Sequence, residues 1–252
     1  MDFSGFFDLN VLPNGSNIEK LSKIWFERGY RTIAINQILN LSAGLSNKTK
    51  KGEKQDICIP KPLDCKLPPD LAGKINILNR LTIKISEVSH FSKVFQAKSS
   101  AVKQYHLVAV IPDNIPCLKQ AINTNEVDII AVDCRSKPQW SLTKKHYNLL
   151  IEQHKYFEIC YSPAIRDSTT FNNTIFMSQL LNTIGKSKNV ILSSETSDTS
   201  ILRTPYEVIY LSLIFGLNEN KARYCLTSEP SNVICRALKR QIGKSSFTIE
   251  HV

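Results

Sequence analysis

Asp8, Asn10, Asn36, Tyr161 and Ser193 each stand where an apolar run of the sequence stops, with Asp133, Ser162 and Ser194 in similar places. Arg166, Asp167 and Arg203 follow in the adjoining polar stretches, and Arg80 opens the run Arg80-Leu-Thr-Ile83. In parallel α/β folds the ends of strands and the loops after them carry binding and catalytic groups. This polar set is therefore where chemistry would be done. Metal-assisted hydrolysis needs histidines and carboxylates converging on one ion, yet His90, His106, His146, His154 and His251 all fall away from strand ends. Ser162, Ser168 and Ser193 have no histidine placed beside them, and no Gly-x-Ser-x-Gly elbow is present. A G-x-G-x-x-G turn and a P-loop are absent as well. Two readings of the polar set remain. In one, Asp8 and Asn36 cap following turns, Asp167 pairs with Arg166 or Arg80, and Arg203 holds the start of its own helix. In the other, Arg80, Arg166 and Arg203 present guanidinium groups to RNA phosphates or to partner carboxylates.

The elements that must position these residues are short, nearly continuous apolar runs: Phe6–Val11, Arg31–Asn36, Leu81–Ile85, Leu107–Ile111, Val127–Val132, Phe157–Tyr161 and Val190–Leu192. Runs rich in Val, Ile, Leu and Ala without alternation are expected of parallel strands covered on both faces. Helical patterns lie between them. Ser16-Asn-Ile-Glu19 is a capping box whose run ends at Gly29; Thr204-Pro205-Tyr-Glu207 is another, closing at Gly216. Pro116 begins a helix, and His146 to Lys155 holds Tyr147, Leu150 and Ile151 on one face. Repeated strand–helix units imply right-handed crossovers and one parallel sheet. Seven strands are evident and an eighth is not, so an open doubly wound sheet and a closed barrel both fit the pattern. Residues 42–74, rich in Lys, Asn, Pro and Gly and carrying Lys48, Lys50, Lys51 and Lys54, read as a long insertion.

The 252 residues hold 32 lysines and arginines against 22 acids, a formal net charge of +10 that favours polyanionic partners. The basic residues thicken toward the C-terminus. On a helix from about Ser231, Arg236, Lys239 and Arg240 share one face, opposite Val233, Ile234, Ala237 and Leu238. That face is a candidate for RNA backbone contact by charge and shape, since no RRM, KH or zinc-knuckle signature is visible. Seven scattered cysteines without a C-x-x-C predict neither a disulfide framework nor a zinc site, and point to a reducing compartment. The first residues lack the basic region of a secretory signal, and the longest apolar stretch, Val208–Leu217, is too short to span a bilayer.

The segment Phe157-Glu-Ile-Cys-Tyr-Ser-Pro-Ala-Ile-Arg-Asp-Ser168 resembles one family in wording. So do, in the same order, Phe7-Asp-Leu-Asn10, Gly29-Tyr30, Ile33-Ala-Ile-Asn36, Arg80-Leu-Thr-Ile83 and Arg203-Thr-Pro-Tyr206. The family is the TIM-barrel, PHP-like protein subunit of eukaryotic and archaeal ribonuclease P, shared in eukaryotes with ribonuclease MRP. The likeness runs from about Phe7 to Gly243. It implies a single-domain, distorted (β/α) barrel over residues 1–252, with seven or eight mostly parallel strands, the insertion at 42–74 and a helical segment at about 204–243. It implies an accessory subunit that is not catalytic alone, in a particle removing the 5′ leader of precursor tRNA and, as ribonuclease MRP, processing precursor rRNA. The chain would bind no cofactor; the RNA subunit would hold Mg²⁺. Implied partners are that catalytic RNA, a small ferredoxin/RRM-like protein subunit and further protein subunits, with precursor tRNA met indirectly and two copies per particle a possible arrangement. The implied location is the nucleus and nucleolus, with no membrane contact. Two departures stand out. Barrel phosphoesterases distantly similar to the family carry His-x-His on the first strand, where this chain has Asp8-Leu9-Asn10. Family members continue past Ser193-Ser194 with small residues, where this chain has Glu195-Thr-Ser-Asp198. A free-standing metal-dependent phosphoesterase or amidohydrolase barrel is the alternative reading.

Overall fold

The computed structural model describes residues 3–13, 18–41, 57–65, 67–96, 98–137 and 142–242. Seven strands lie in chain order, each parallel to the next. They are β1 (Phe6–Val11), β2 (Tyr30–Asn40), β3 (Asn76–Ile85), β4 (Leu107–Pro112), β5 (Ile129–Ala131), β6 (Tyr156–Cys160) and β7 (Val190–Ser193). All seven predicted strands are present. β2 and β3 are longer than the apolar runs suggested, because their added residues, among them Gln37, Asn79 and Arg80, are polar although they sit in regular strand.

The sheet curls into a nearly closed barrel, which resolves the choice left open by the pattern. β1 and β7 do not pair along their length; the chain around them joins them at the two ends. At the C-terminal end, or mouth, Val11 bridges Thr196, and Glu195 N donates to Asn10 O at 2.8 Å. At the N-terminal end, or floor, Phe7 N donates to Leu226 O and Leu192 N to Cys225 O, at 3.0 and 3.2 Å. A short piece of chain thus takes the place of an eighth strand, which is absent among the described residues.

The helices are α1 (Ile18–Glu27), α2 (Ser89–Phe91, running on as a π-helical turn to Gln96), α3 (Ser99–Val102), α4 (Ile115–Asn123), α5 (Lys144–Glu152), α6 (Ser162–Arg166), α7 (Ser168–Gly185), α8 (Pro205–Ile214), α9 (Glu219–Tyr224) and α10 (Ser228–Ile242). Their starts follow local chemistry. Asn114 Oδ1 accepts from Cys117 N at 2.9 Å, and the Thr204–Glu207 capping box forms in both directions. The predicted box at Ser16 lies outside the described residues, as does the Lys48–Lys54 cluster. What is described of the predicted insertion is not idle chain. Leu71 is buried beside Trp25, Tyr30 and Ile33, and Leu63, Cys65 and Leu67 pack against that cluster.

Side chains two residues apart on a strand face the same way, so the barrel interior is layered. Its lowest layer is apolar: Phe7, Leu9, Ala34, Leu78, Leu107, Ala109, Ile129, Tyr156 and Ile191, sealed by Val233, Ile234 and Ala237 of α10. One step toward the mouth, Ala34 is succeeded by Asn36, Leu78 by Arg80, Tyr156 by Glu158 and Ile191 by Ser193. The interior changes from oil to polar network within one layer.

Candidate functional site

The polar layer is a closed ring of hydrogen bonds. Arg80, fully buried, donates through Nη1 and Nη2 to the two oxygens of Glu158 at 2.5 Å each, and through Nη1 to Leu9 O at 2.7 Å. Its Nε donates to Thr82 Oγ1 at 3.0 Å, and that hydroxyl donates to Asn36 Oδ1 at 2.8 Å. Asn36 Nδ2 donates to Asn10 Oδ1 at 2.8 Å, and Asn10 Nδ2 returns to Glu158 Oε2 at 3.3 Å and to Cys160 Sγ at 3.4 Å. Burial works against the Arg80 cation, but Glu158 outweighs it and raises the guanidinium's pKa above its ordinary value. A buried ion pair survives only when its remaining donors and acceptors are also met, and here the amides and the threonine meet them.

This geometry corrects two expectations. Arg80 has no face to offer RNA, because it is 0% exposed and tied on all three nitrogens. Asn36 caps no turn; it links β1 to β3 across the interior. Asp8 does cap, and does more. Oδ1 accepts from Asn10 N and Ser194 N at 3.3 and 3.0 Å, while Oδ2 accepts from Trp25 Nε1 at 2.7 Å. One carboxylate thereby holds the irregular end of β1, the end of β7 and helix α1 together, with burial raising its pKa against the opposing hydrogen bonds.

Above the ring the mouth is charged, and its charges answer one another. Lys84 Nζ lies 3.1 Å from Asp133 and 3.8 Å from Asp113; Arg135 reaches Asp133 at 3.4 Å and Glu195 at 2.8 Å. Burial pushes the Glu195 carboxyl up while Arg135 opposes it; Asp133 is held low despite burial, by the Arg135 N–H and Lys84. Between ring and mouth is a void of about 10 Å³, lined by Asn10, Asn36, Thr82, Cys160, Asp133 and Glu195 among others. That is room for about one water. Glu195 occupies the departure noted in the sequence, and its φ of 56° is the left-handed conformation that glycine adopts most easily.

An open groove of about 910 Å³ runs over the mouth past Gln37, Arg135, Arg166 and Thr170. Arg166 pairs with Asp198 at 3.3 Å, with both side chains substantially exposed. Asp167 pairs with neither arginine expected of it; it caps α7, accepting from Thr170 N at 2.7 Å and Thr170 Oγ1 at 2.8 Å. Tyr161 accepts from Arg203 N at 3.2 Å, and Tyr30 Oη donates to Arg203 O at 2.9 Å, so two buried phenols pin the chain ahead of α8. Arg203 Nη1 turns back to Ser200 O at 3.1 Å. The buried Ser193 Oγ has no hydrogen-bond partner among the described residues.

The expected RNA face of α10 is corrected too. Arg236 Nη1 donates to Asp128 Oδ1 at 2.6 Å, and Arg240 donates to both Asp128 oxygens at 3.1 and 2.9 Å. Arg240 also reaches His106 O, and Arg236 reaches Gln153 O. Asp128 is fully buried and accepts from Val108 N as well. The two arginines fasten α10 across the floor, leaving Lys239 exposed, while Leu238 stands 36% exposed instead of lining the packed side.

Sequence reasoning missed Glu158, Asp128, Lys84, Arg135 and Glu195. For Glu158 the signal was present: an acid inside Phe157-Glu-Ile-Cys160 is anomalous in a buried strand and demands a cationic partner. Glu195 was noted only as a departure after Ser194, and nothing in the sequence pointed to its pairing with Arg135, 60 positions away. Among the described residues no three of His, Cys, Asp and Glu gather as metal ligands would.

The RNase P subunit p30 family model matches residues 5–242. The chain is 35% identical over 226 residues to "Ribonuclease P protein subunit p30" of Mus musculus, covering 88% of this chain and 80% of that one. It is 25% identical over 236 residues to "Probable ribonuclease P protein subunit 3" of Schizosaccharomyces pombe, covering 94% and 95%. In fold it is similar to a chain from a cryo-EM structure of archaeal ribonuclease P with mature tRNA, at TM-score 0.66 and 11% identity, covering 98% and 97%.

Proposed function

This chain belongs to the RNase P subunit p30 family, and on that premise we propose that it serves as an accessory protein of a ribonuclease P particle that removes 5′ leaders from precursor tRNA. The observation that carries the accessory role is the pairing inside the barrel. Glu158 is met by Arg80, Asp133 by Lys84 and Arg135, and Glu195 by Arg135. Where a parallel barrel would aim carboxylates at a substrate or an ion, this one neutralises them with its own cations. Bond cleavage then falls to the RNA subunit and the Mg²⁺ held by its phosphates, while this chain contributes shape and positive charge, with each lysine–phosphate contact releasing counterions and favouring a compact RNA.

The same reading extends to ribonuclease MRP and precursor rRNA, to a ferredoxin/RRM-like protein neighbour and to a nuclear and nucleolar location; membership of the family supports these extensions. The test is affinity purification of the tagged full chain, sequencing of the RNA that accompanies it, and an assay of precursor tRNA cleavage by the complex and by the isolated chain. An abundant structured RNA with 5′-leader cleavage in the complex alone is expected. Turnover of a phosphoester by the isolated chain with Mn²⁺ or Zn²⁺ would overturn the proposal.

A further inference from the structure

Resting on the ribonucleoprotein reading above, we propose that the chain meets RNA with the floor of its barrel, around the β7 turn and α10, and not with the mouth. The basic side chains that follow the ends of β3, β5, β6 and β7 at the mouth have partners. Lys84, Arg135 and Arg166 are ion-paired, Arg203 is bonded to Ser200 O, and Lys137 lies over the Phe176 ring at 5.6 Å from its centroid. On the floor, Lys103 before β4, Lys186 and Lys188 before β7, and Lys239 on α10 are exposed and have no carboxylate partner among the described residues.

These lysines share one end of the molecule because α10 links their loops. It follows directly on Cys225 and Leu226, which bond β7 and β1; Arg236 then reaches Gln153 O, Arg240 reaches His106 O and Gln241 reaches Tyr105 O. The helix therefore passes beneath β6 and β5 to β4, a span of about 20 Å for 15 residues. The floor's buried acid, Asp128, is already neutralised by Arg236 and Arg240, so it does not oppose a phosphate below.

The β7 turn is built to hold its lysines outward. Lys186, Ser187 and Asn189 have φ of 54°, 53° and 52°, a left-handed conformation that lysine and serine rarely adopt. Four side chains impose it. Lys221 Nζ donates to Lys186 O, Tyr147 Oη to Lys188 O at 2.6 Å, Asn189 Nδ2 to Lys155 O at 2.9 Å, and Ser187 Oγ to Asn182 Oδ1 at 3.3 Å. Gly185 leaves room for the Tyr147 ring, which a Cβ there would meet at 2.0 Å. A strained turn so heavily fastened, displaying two unpaired lysines, fits a fixed phosphate-binding edge.

The experiment compares three tagged full-length chains in cells: wild type, K186E/K188E/K239E on the floor, and R166E/R203E at the mouth. Purified complexes are washed through a rising NaCl gradient, and the retained RNA is quantified against co-purifying protein. The floor variant is expected to release its RNA at less than half the salt concentration that the wild type withstands, with the mouth variant unchanged. A floor variant that holds RNA like the wild type, or a mouth variant that alone loses it, overturns the floor assignment and leaves the ribonucleoprotein reading standing. A wild-type chain that brings down no RNA overturns both. K186Q/K188Q/K239Q, which keeps the side-chain bulk, must shift release in the same direction; no shift in that variant also overturns the assignment.

Discussion

At the mouth of this barrel Lys84, Arg135 and Arg166 each have a carboxylate within 3.3 Å; at the floor Lys186, Lys188 and Lys239 have none among the described residues. Both ends belong to a chain of net charge +10. The contrast teaches that net charge says little until the fold has paired it. Where cations and anions are drawn together in a half-buried rim, their fields cancel within a few ångströms; where lysines stand on turns facing water, their field reaches about a Debye length. The two ends also hold themselves together differently. Below the mouth a cyclic network joins β1, β2, β3 and β6; at the floor one buried aspartate ties an exposed helix to the loops.

The sharpest way to break this comparison is to remove Glu158. Glu158→Gln leaves the Arg80 guanidinium buried without a counter-charge, and breaking a buried pair in this way costs about 3–5 kcal/mol. Urea denaturation of the purified chain should show the loss as a lower midpoint. Replacing both partners, R80M/E158M, removes the stranded charge, and the double variant should recover at least half of it. A Glu158→Gln chain as stable as the wild type would mean that the ring contributes nothing to the stability of the barrel.

Much of this architecture was legible beforehand and some was not, for physical reasons. Strand positions followed from continuous apolar runs, since a parallel strand covered on both faces has few polar positions. The ends of β2 and β3 escaped because Gln37, Asn79 and Arg80 are polar. Charge destinations escaped most. Arg236 and Arg240 share a helix face with Lys239, and periodicity alone assigns them one role; Asp128, 108 residues before Arg236, divides that face into two clamps and one free lysine. Asp8, Asn10 and Asn36 stand toward the C-terminal ends of their strands, as the sequence suggested, but their side chains are spent within the protein: Asp8 caps Ser194 N, and Asn10 and Asn36 complete the buried ring.

The floor has its own test of next largest effect. Asp128→Asn weakens three guanidinium bonds together, and hydrogen bonds to charged groups are worth about 1.5–3 kcal/mol each before compensation. With Arg236 16% and Arg240 9% exposed, water recovers part of the loss, and about 2–3 kcal/mol should remain. The thermal midpoint measures it. Limited proteolysis should locate it, with cleavage appearing first in α10. Cleavage beginning instead in the β6–β7 region would show that Asp128 does not anchor the helix.

Lys155 adds a pH-dependent difference between the ends. It is buried beneath the C-terminal end of α4, donating to Ala121 O and Thr124 O at 2.8 and 2.5 Å, and burial lowers its pKa from 10.5 to about 7. Arg236 adds to the lowering; Asp128 and Glu126 oppose it. A lysine whose folded pKa is depressed binds its proton more tightly when unfolded, so stability rises with pH between the folded and unfolded values. From pH 7 to 8.5 the wild type should gain about 1.5 kcal/mol over Lys155→Met. Chemical denaturation of both chains at the two pH values reads the difference, in which all other titrations cancel. A constant difference would place the titration elsewhere.

The smallest effect belongs to the mouth's outer pair, and its smallness sharpens the comparison. Arg166 and Asp198 are 53% and 43% exposed and meet at 3.3 Å, and pairs of this kind contribute about 0–1 kcal/mol, less in salt. Asp198 retains Ser200 N and Ser200 Oγ at 2.9 and 2.7 Å when the arginine is gone. Its loop therefore keeps its shape. Arg166→Ala should lower the denaturation midpoint by an amount equivalent to less than about 0.5 kcal/mol, and 0.5 M NaCl should erase even that. A larger loss, or one that persists in salt, would mean that this pair is structural like the ring beneath it, and that the mouth is held shut through its full depth.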